Sequence, residues 1–291
     1  MAEMIKHLPK KKGKLLKIFK TDKYNLVSNI LVLVFALISL FPVYWMFSSA
    51  LKSSESITAM PPEWIPKNPS FANYIQLFHS QHILIWVYNS LFIGLVTTFL
   101  VVFISSLAAY SFAKIRFFGS QVIFAVLIST LMIPKDVYTV PLFRIMQNFN
   151  MVGTQMGVIL PNVALPFGVF ILKQFMDTIP DAMRESAKID GASEWRIYLK
   201  IFMPMASPGL GALFILEFAR VWNDYLWQLV MLSNDAAKTL QLGIASIQTE
   251  TVPNLAFKMT GASLAAIPMI VIFLCFQRYF TKGIVLGAMK E

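Results

Sequence analysis

Six long apolar stretches, separated by shorter polar connections, set the pattern of this chain. A helix needs about 20 apolar residues to cross a hydrocarbon core about 30 Å thick, and the stretches reach or approach that length. The third is the shortest, and the fifth carries charges. They comprise residues 26–48, 91–113, 117–134, 152–172, 206–231 and 259–277. Because no period-two alternation runs through them, the pattern predicts an all-α integral membrane protein with six transmembrane helices.

A lysine-rich segment precedes the first stretch, as it would in a secretion signal. The apolar run that follows is about 22 residues long, whereas the apolar part of a signal has about 7–15 residues. We therefore predict an uncleaved anchor. Residues 1–25 form a basic cytosolic tail in this interpretation, and residues 26–291 form one transmembrane domain.

Composition agrees with a membrane protein and argues against other classes. The 291 residues are 57% hydrophobic and 14% charged, whereas soluble domains have about 25% charged residues. The formal net charge of +10 raises the question of nucleic-acid binding. A nucleic-acid-binding protein concentrates its charge on a polar fold with groove-reading elements, which this pattern lacks. A nucleic-acid partner is therefore not expected.

The basic residues lie mainly on one side of the predicted topology. The tail, the turn after the second stretch, the loop of residues 173–204 and the C-terminus together hold 18 Lys and Arg residues. The alternate connections hold 6, and Arg220 lies within the fifth stretch. Because Lys and Arg accumulate in cytosolic loops, this asymmetry predicts that both termini and the 173–204 loop are cytosolic. The lysines of the tail would then face anionic lipid.

The loop of residues 173–204, between the fourth and fifth stretches, is far longer than a connection between two helices requires. Pro180 and Asp181 are suited to the start of a helix. Gly191 then predicts a helix stop or a sharp turn. Ser193 is placed to cap a second short helix that ends at Pro204. We therefore predict a helix, a glycine turn and a helix lying against the inner face of the membrane.

The same loop resembles the EAA loop, E-A-A-x3-G-x9-I-x-L-P, of permease subunits in binding-protein-dependent ABC importers. The departures from that pattern are Ser186 at its second position and Met203 in place of its leucine. The resemblance implies a set of residues that couple the chain to an ATPase. These are Glu185, Ser186, Ala187, Asp190, Gly191, Ile201 and Pro204.

Other stretches are similar to the carbohydrate branch of that family, specifically the maltose-type smaller permease. They are residues 61–69, 108–119, 132–143, 222–227 and 277–291. The resemblance implies a second homologous permease, two ATPase subunits that bind ATP and Mg²⁺, and an extracytoplasmic sugar-binding protein as partners. It also implies a multi-pass protein of the bacterial or archaeal inner membrane, which transports a sugar or oligosaccharide.

In that family the loop helix docks into a cleft of the cytosolic ATPase and passes on its closure as a rigid-body movement. Glu185 would offer a charge to a basic residue of the ATPase, Ala187 would permit close approach, and Gly191 would set the angle between the two helices. The alternative is a solvent-exposed amphipathic loop whose spacing is accidental.

The charged residues of the fifth stretch are candidates for the translocation pathway or its gate, because ionisable groups within a membrane tend to face a water-filled path or a bundle interior. Glu217 and Arg220 are three residues apart and can pair. The alternative is a structural pair against the partner permease. These two residues belong to a candidate set that also includes Trp222, Asn223, Asp224 and Tyr225.

The aromatic residues of this set suit sugar recognition, since ring faces stack on sugars and nearby amides and carboxylates bind hydroxyl groups. Rings near the outer interface are also typical of a membrane belt. The resemblance implies that the deep sugar site lies mainly in the larger partner permease.

No catalytic or cofactor site is expected in the chain itself. It has no G-x4-G-K-[ST] phosphate loop and no recognisable nucleophile with its base. Only His79 and His82 are closely spaced, which is a weak indication of a metal site. We therefore expect a transport subunit without enzymatic activity. The alternatives are a stand-alone secondary transporter, which would show inverted repeats, and a membrane scaffold.

Overall fold

The computed structural model describes residues 23–80, 82–250 and 255–288. Within these ranges the chain is helical and contains no β-strand. Nearly all of the predicted tail lies outside the described residues; its last three residues begin the first helix.

The helices are, in chain order, α1 Lys23–Ala50, α2 Ser54–Thr58, α3 Ala72–Ser80, α4 Ile83–Lys114, α5 Ser120–Ser129, α6 Lys135–Asn148, α7 Gln155–Ile159, α8 Pro166–Asp177, α9 Ala182–Ile189, α10 Glu194–Ile197, α11 Met203–Met205, α12 Ser207–Trp222, α13 Tyr225–Met231, α14 Leu240–Glu250 and α15 Leu255–Ala288. Short 3₁₀ turns occupy Thr130–Met132, Leu160–Asn162 and Asp235–Ala237. A π-helical turn occupies Tyr198–Phe202.

Three helices in the described part of the chain are long and apolar enough to cross a membrane unbroken. Their apolar segments are Leu26–Ala50, Ile83–Lys114 and Leu255–Gln277. Three further spans are obtained if each of three bent helix pairs crosses once, with bends of 101°, 46° and 75°. The bent pairs are Ser120–Met132 with Lys135–Asn148, Gln155–Asn162 with Pro166–Asp177, and Glu194–Met205 with Ser207–Trp222. The described residues therefore contain three helices of spanning length, or up to six spans if each bent pair crosses once.

The fifth stretch differs from the single helix predicted over residues 206–231. Helix α12 ends at Trp222, and α13 begins at Tyr225. Asp224 adopts an extended conformation, and its carboxylate accepts a hydrogen bond from the backbone N–H of Trp227 at 3.3 Å. The Asn223 side chain bonds back to the carbonyl of Ala219 at 2.8 Å. Short polar side chains stabilise helix ends in this way, so the helix stops and restarts.

The second and third stretches also differ from their predicted limits. Helix α4 begins at Ile83, eight residues before the predicted start of the second span at residue 91. The third stretch breaks at Ile133, which is extended at ψ 113° before Pro134. A residue that precedes proline disfavours the helical conformation, and proline lacks an N–H to continue the helix. The chain then resumes as α6 in a different direction.

Helix α4 is the central element and packs against α8, α12 and α14. Small residues bring its neighbours close, as is common between membrane helices. A Cβ atom on Gly168 of α8 would lie 2.6 Å from the Ser105 side-chain oxygen of α4. A Cβ atom on Gly243 of α14 would lie 2.1 Å from a ring carbon of Trp86, also of α4. The ring nitrogen of Trp86 donates to the carbonyl of Asp235 at 2.8 Å, so the indole is held in place.

Helix α1 is largely uncovered. None of its most apolar 18-residue segment is buried within the chain. Only its last turn packs inward, where Ser48, Ser49 and Ala50 are buried. Lys52, just beyond this turn, is 2% exposed and lies 4.2 Å from the ring centroid of Trp45. Burial lowers the pKa of Lys52. Since an apolar helix of this length is stable where lipid or another apolar surface covers it, the exposed face of α1 fits a membrane environment.

The close approach at Gly243 gives a first prediction. Gly243→Ala should lower the free energy of unfolding by about 1–3 kcal/mol, because the added methyl group overlaps the held Trp86 ring. The midpoint of thermal unfolding of the detergent-purified protein measures the effect. Gln241→Ala, on the same helix but only half-buried, is the control. Equal midpoints for the two variants would contradict the packing argument.

Candidate coupling loop and polar cluster

The loop of residues 173–204 forms the predicted helix, glycine turn and helix. Helix α9 follows Asp181, whose carbonyl accepts the N–H groups of Arg184 and Glu185 at 2.9 and 3.0 Å. The Lys114 ammonium, at the end of α4, donates to the Asp181 carboxylate at 2.7 Å and to the carbonyl of Ile179 at 2.6 Å. The hydrogen bond from the Lys114 ammonium to the carboxylate lowers the pKa of Asp181. The start of α9 is thereby tied to α4.

Gly191 forms the predicted turn. It has φ +75°, in the left-handed region that favours glycine, and nothing lies within 4 Å of a Cβ atom built on it. The glycine is therefore required by its backbone conformation and not by crowding. The N–H of Ala192 bonds to the carbonyl of Ala187 at 2.9 Å, which closes the end of α9. Ser193 caps the next helix through the N–H of Arg196 at 3.3 Å, as predicted.

The second helix of the loop runs further than predicted. It continues through the π-helical turn and α11, and the 75° bend falls at Ala206. Pro204 lies in the first turn of α11, where proline is tolerated because that N–H needs no helical partner. The helix thus ends at Met205, one residue after the predicted end at Pro204.

The residues of the sequence motif divide between two faces of the loop. Glu185, Ser186 and Asp190 are exposed. Ala187 and Ile201 are half-buried and pack against the chain's own core, which includes Tyr110, Tyr198 and Phe202. Ala187 therefore permits close packing within this chain.

Two apolar side chains accompany the exposed face of α9. Ile189 is 86% exposed and Met183 is 40% exposed. Within the described residues, Glu185 and Asp190 form no ion pair. The exposed face of α9 thus combines an apolar side chain with carboxylates that have no ion-pair partner among the described residues. Sequence reasoning missed Ile189 and Met183, whose spacing of six residues places them about 120° apart around the helix and so gives no signal of a shared face.

A carboxylate that the motif does not include connects the loop to the membrane helices. Glu194 accepts hydrogen bonds from the Tyr110 hydroxyl at 2.7 Å, from Arg184, and from the Lys188 ammonium at 2.8 Å. Arg184 uses two nitrogens, with its Nε at 3.2 Å. The hydrogen bond from Arg184 to Glu194 raises the pKa of the Arg184 guanidinium. Sequence reasoning missed this group because Tyr110 is 84 residues away along the chain.

The predicted pair of the fifth stretch forms. Arg220 donates to both carboxylate oxygens of Glu217, from Nε at 2.8 Å and from Nη2 at 2.6 Å. The Glu217 side chain is 1% exposed, and that of Arg220 is 33% exposed. Two parallel hydrogen bonds are the strongest arrangement for an arginine with a carboxylate.

This pair belongs to a larger polar cluster of five residues. The Asn162 side-chain oxygen accepts from Arg220 at 3.2 Å and from Lys135 at 3.4 Å. Lys135 in turn pairs with Asp224 at 2.5 Å. We call Lys135, Asn162, Glu217, Arg220 and Asp224 the polar cluster. Its positive and negative charges balance.

The polar cluster joins several helix breaks. Lys135 begins α6 after the 101° bend, and Asn162 ends the 3₁₀ turn before the 46° bend. Asp224 occupies the break between α12 and α13. Sequence reasoning counted Lys135 only as a loop charge and did not select Asn162. Their chemistry depends on partners 89 and 58 residues away, which no local pattern indicates.

The aromatic candidates do not share one environment. Trp222 is 2% exposed, and its ring nitrogen donates to the carbonyl of Ala265 at 3.2 Å. Its ring therefore has no free face on which to stack a sugar. Asn223 is exposed, and Tyr225 is 43% exposed. Within the described residues, no group of three or more His, Cys, Asp and Glu side chains is arranged to hold a metal ion.

Comparison with known proteins places the chain in a family. Residues 23–285 match the model of the binding-protein-dependent transport system inner membrane component. The chain belongs to this family. Its members are inner membrane components of transport systems, so the prediction of a multi-pass membrane protein is confirmed in general.

Several relatives are permease proteins of sugar transport systems. The arabinooligosaccharide permease protein AraQ of Bacillus subtilis is 33% identical over 270 residues, covering 92% of this chain and 96% of the relative. The trehalose permease protein SugB of Mycobacterium tuberculosis is 34% identical, covering 92% and 97%. The lactose permease protein LacG of Rhizobium radiobacter is 31% identical, covering 88% and 92%. The predicted membership of the sugar ABC transporter permeases is confirmed.

A solved structure shares the fold. A chain of a bacterial ABC transporter involved in the import of the acidic polysaccharide alginate matches with a TM-score of 0.73 and 24% identity. The match covers 88% of this permease and 96% of that chain. The chain therefore shares its overall fold with that transporter chain.

The buried ion pair gives a second prediction. Arg220→Ala should lower the free energy of unfolding by about 3–5 kcal/mol, because Glu217 would remain buried without a partner. Adding Glu217→Gln should recover part of the loss, since the neutral amide costs less to bury. Chemical denaturation of the purified protein measures both. Lys173→Ala, which breaks the more exposed pair with Asp177, is the control and should cost at most about 1 kcal/mol. A loss of equal size in the control would contradict the argument that the burial of Glu217 sets the size of the effect.

Proposed function

We propose that this permease forms the translocation pathway of an ATP-driven sugar importer together with a second, homologous permease. Two cytosolic ATPase subunits, which bind ATP and Mg²⁺, and an extracytoplasmic sugar-binding protein complete the assembly. Residues 26–291 act as one permease domain. Membership of the family and the three sugar-permease relatives support this proposal.

The observation that carries the coupling role is the exposed face of α9. The helix is held at its start by Lys114 and at its end by the Gly191 turn. It presents Ile189 and Glu185 to the outside without a partner in the described part of the chain. A rigid helix with an apolar centre and charged edges fits a cleft of another protein. We assign that cleft to the ATPase.

The charge asymmetry supports the orientation in this proposal. The 173–204 loop and both termini face the cytosol, because they hold most of the Lys and Arg residues. The chain itself binds no nucleotide and performs no catalysis in this scheme. ATP binding closes the two ATPases, α9 moves with them, and the membrane helices turn the cavity from one side to the other.

The substrate class is a sugar or oligosaccharide. The relatives are named for arabinooligosaccharides, trehalose and lactose, which share only their chemical class. We assign the choice among sugars mainly to the binding protein and the partner permease.

Docking is tested by Glu185→Arg. Reversal of this exposed charge should release the ATPase subunits from the purified complex and abolish ATP-dependent uptake, because the carboxylate is expected to meet a basic residue. Co-purification of the ATPase with a tagged permease, and uptake of radiolabelled lactose, trehalose and arabinotriose, measure the two effects. Asp177→Asn is the matched control, because it removes a carboxylate that lies in the same predicted cytosolic loop as Glu185 but outside α9. Normal co-purification of the ATPase with Glu185→Arg would refute the docking role.

The accessible residues beside the polar cluster are our candidates for the pathway or its gate. Asn223 and Tyr225 are exposed at the break between α12 and α13, next to Asp224. The paired charges of the polar cluster, Glu217 with Arg220 and Asp224 with Lys135, hold this break in place, so that its polar groups face the path without a net charge. Exposed polar groups at a helix break are tolerated in a membrane where they line a water-filled cavity.

Thiol labelling tests this assignment. Cys275 is the only cysteine of the chain, so Cys275→Ser gives a background without one. In that background, Asn223→Cys and Tyr225→Cys should react with a membrane-impermeant maleimide in the assembled complex. Val32→Cys, 66% exposed on α1, should stay unreactive because lipid surrounds it. Equally slow labelling at all three positions would favour a contact with the partner permease instead.

A further inference from the structure

A docking helix is useful only if its displacement reaches the helices that form the pathway. The covalent route from α9 runs through residues 194–205 into α12, and this route bends by 75° at Ala206. The structure contains a second route that does not follow the chain. It runs from α9 through Glu194 directly to α4.

Glu194 is the point where three helices meet. It lies at the first position of α10 and bonds to Arg184 and Lys188 of α9. The same carboxylate accepts from the Tyr110 hydroxyl of α4 at 2.7 Å. A carboxylate has about four acceptor sites, and bonds to ionised partners are roughly twice as strong as neutral ones. One side chain thus holds both helices of the loop to the central helix.

The ring of Tyr110 is itself fixed. It packs against the rings of Tyr198 and Phe202, with centroids 5.4 and 5.0 Å apart. The Tyr198 hydroxyl lies 2.6 Å from the hydroxyl of Ser106, which precedes Tyr110 by one turn on α4. Tyr110 is 4% exposed and Tyr198 is 1% exposed. The hydroxyl that meets Glu194 is therefore carried by a packed aromatic group and not by a mobile side chain.

A second attachment between α9 and α4 lies at the start of α9. Lys114, on the last turn of α4, bonds to Asp181 and to the carbonyl of Ile179. Helix α9 is thus fastened to α4 at its start by Lys114 and along its body by Arg184 and Lys188 through Glu194. Two separated attachments prevent both sliding and rotation, whereas a single attachment would leave a pivot.

We propose that Glu194 is a positioning residue for energy coupling, which joins the docking helix α9 to α4 so that both move as one body. The proposal rests on the proposed function, in which α9 docks onto the ATPase. Helix α4 packs on α8 and α12, so its movement reaches the bundle directly and does not depend on the bend at Ala206.

Spin-label distances test the proposal in the complete complex. One label is placed at Ala182→Cys on α9 and the other at Tyr88→Cys near the far end of α4, in the Cys275→Ser background with partner subunits that carry no reactive cysteine. Ala182 is exposed, and Tyr88 is 64% exposed, so neither label enters the packed core. Distances are measured without nucleotide and with ATP and vanadate.

With Glu194 unchanged, the two labels should show one narrow distance distribution that is the same in both nucleotide states. Glu194→Ala should give a distance that broadens or shifts when ATP and vanadate are added, while the ATPase remains bound. Tyr110→Phe should show part of this effect. The charge exchange Arg184→Glu with Glu194→Arg should restore the narrow distance only in part, because it rebuilds the pair between α9 and α10 but removes the carboxylate that accepts from Tyr110 and places a like charge beside Lys188. Asp177→Asn is the control and should behave as the parent.

A narrow distance in Glu194→Ala that is independent of nucleotide would overturn the proposal. Loss of the ATPase from Glu194→Ala would also overturn it, because Glu194 would then serve docking or folding. Failure of the docking role itself is recognised separately, since it appears as normal ATPase binding by Glu185→Arg.

Discussion

The structure depends on one constraint: a backbone N–H or carbonyl group inside an apolar environment needs a partner within the protein. The unbroken helices α1, α4 and α15 meet it along most of their length, with one interruption each at Pro42 in α1 and Pro268 in α15. Each bent helix leaves unpaired groups at its break, and polar side chains must be supplied there. Asp224 supplies one by capping α13, and Asn162 supplies another by bonding to the carbonyl of Val158. Thr154 caps the start of α7 in the same way.

The polar cluster follows from that constraint. Once Asp224 and Asn162 are committed to helix ends, their remaining oxygens need donors, and Lys135 and Arg220 provide them. Arg220 then requires the buried carboxylate of Glu217. Buried charges are tolerated only as a fully paired group. The breaks that allow helices to change direction are therefore joined to each other, and α4 connects this region with the loop that carries α9.

Local signals in the chain predicted the loop well. Gly191 and Ser193 act on backbone groups within a few residues, so their roles can be predicted from spacing alone. Asp181 stands at the predicted helix start, but its side chain pairs with Lys114, 67 residues away, and caps no backbone group. Glu194 could not be assigned in the same way, because its partner Tyr110 is on another helix. The faces of α9 also needed the structure: Ala187 is directed to the chain's own core, and the exposed Ile189 had not been selected.

The sequence by itself determined the class of the protein, its apolar segments, the glycine turn and the family resemblance, because these depend on hydrophobicity and short-range geometry. Only the tertiary structure decided where the third, fourth and fifth stretches bend and which charges meet. The fifth stretch is apolar enough for one helix, yet Asn223 and Asp224 end it through hydrogen bonds to nearby backbone groups. Hydrophobicity measures the free energy of transferring a side chain from water to an apolar environment. The position of a helix break depends instead on the partners that the fold brings within hydrogen-bonding distance.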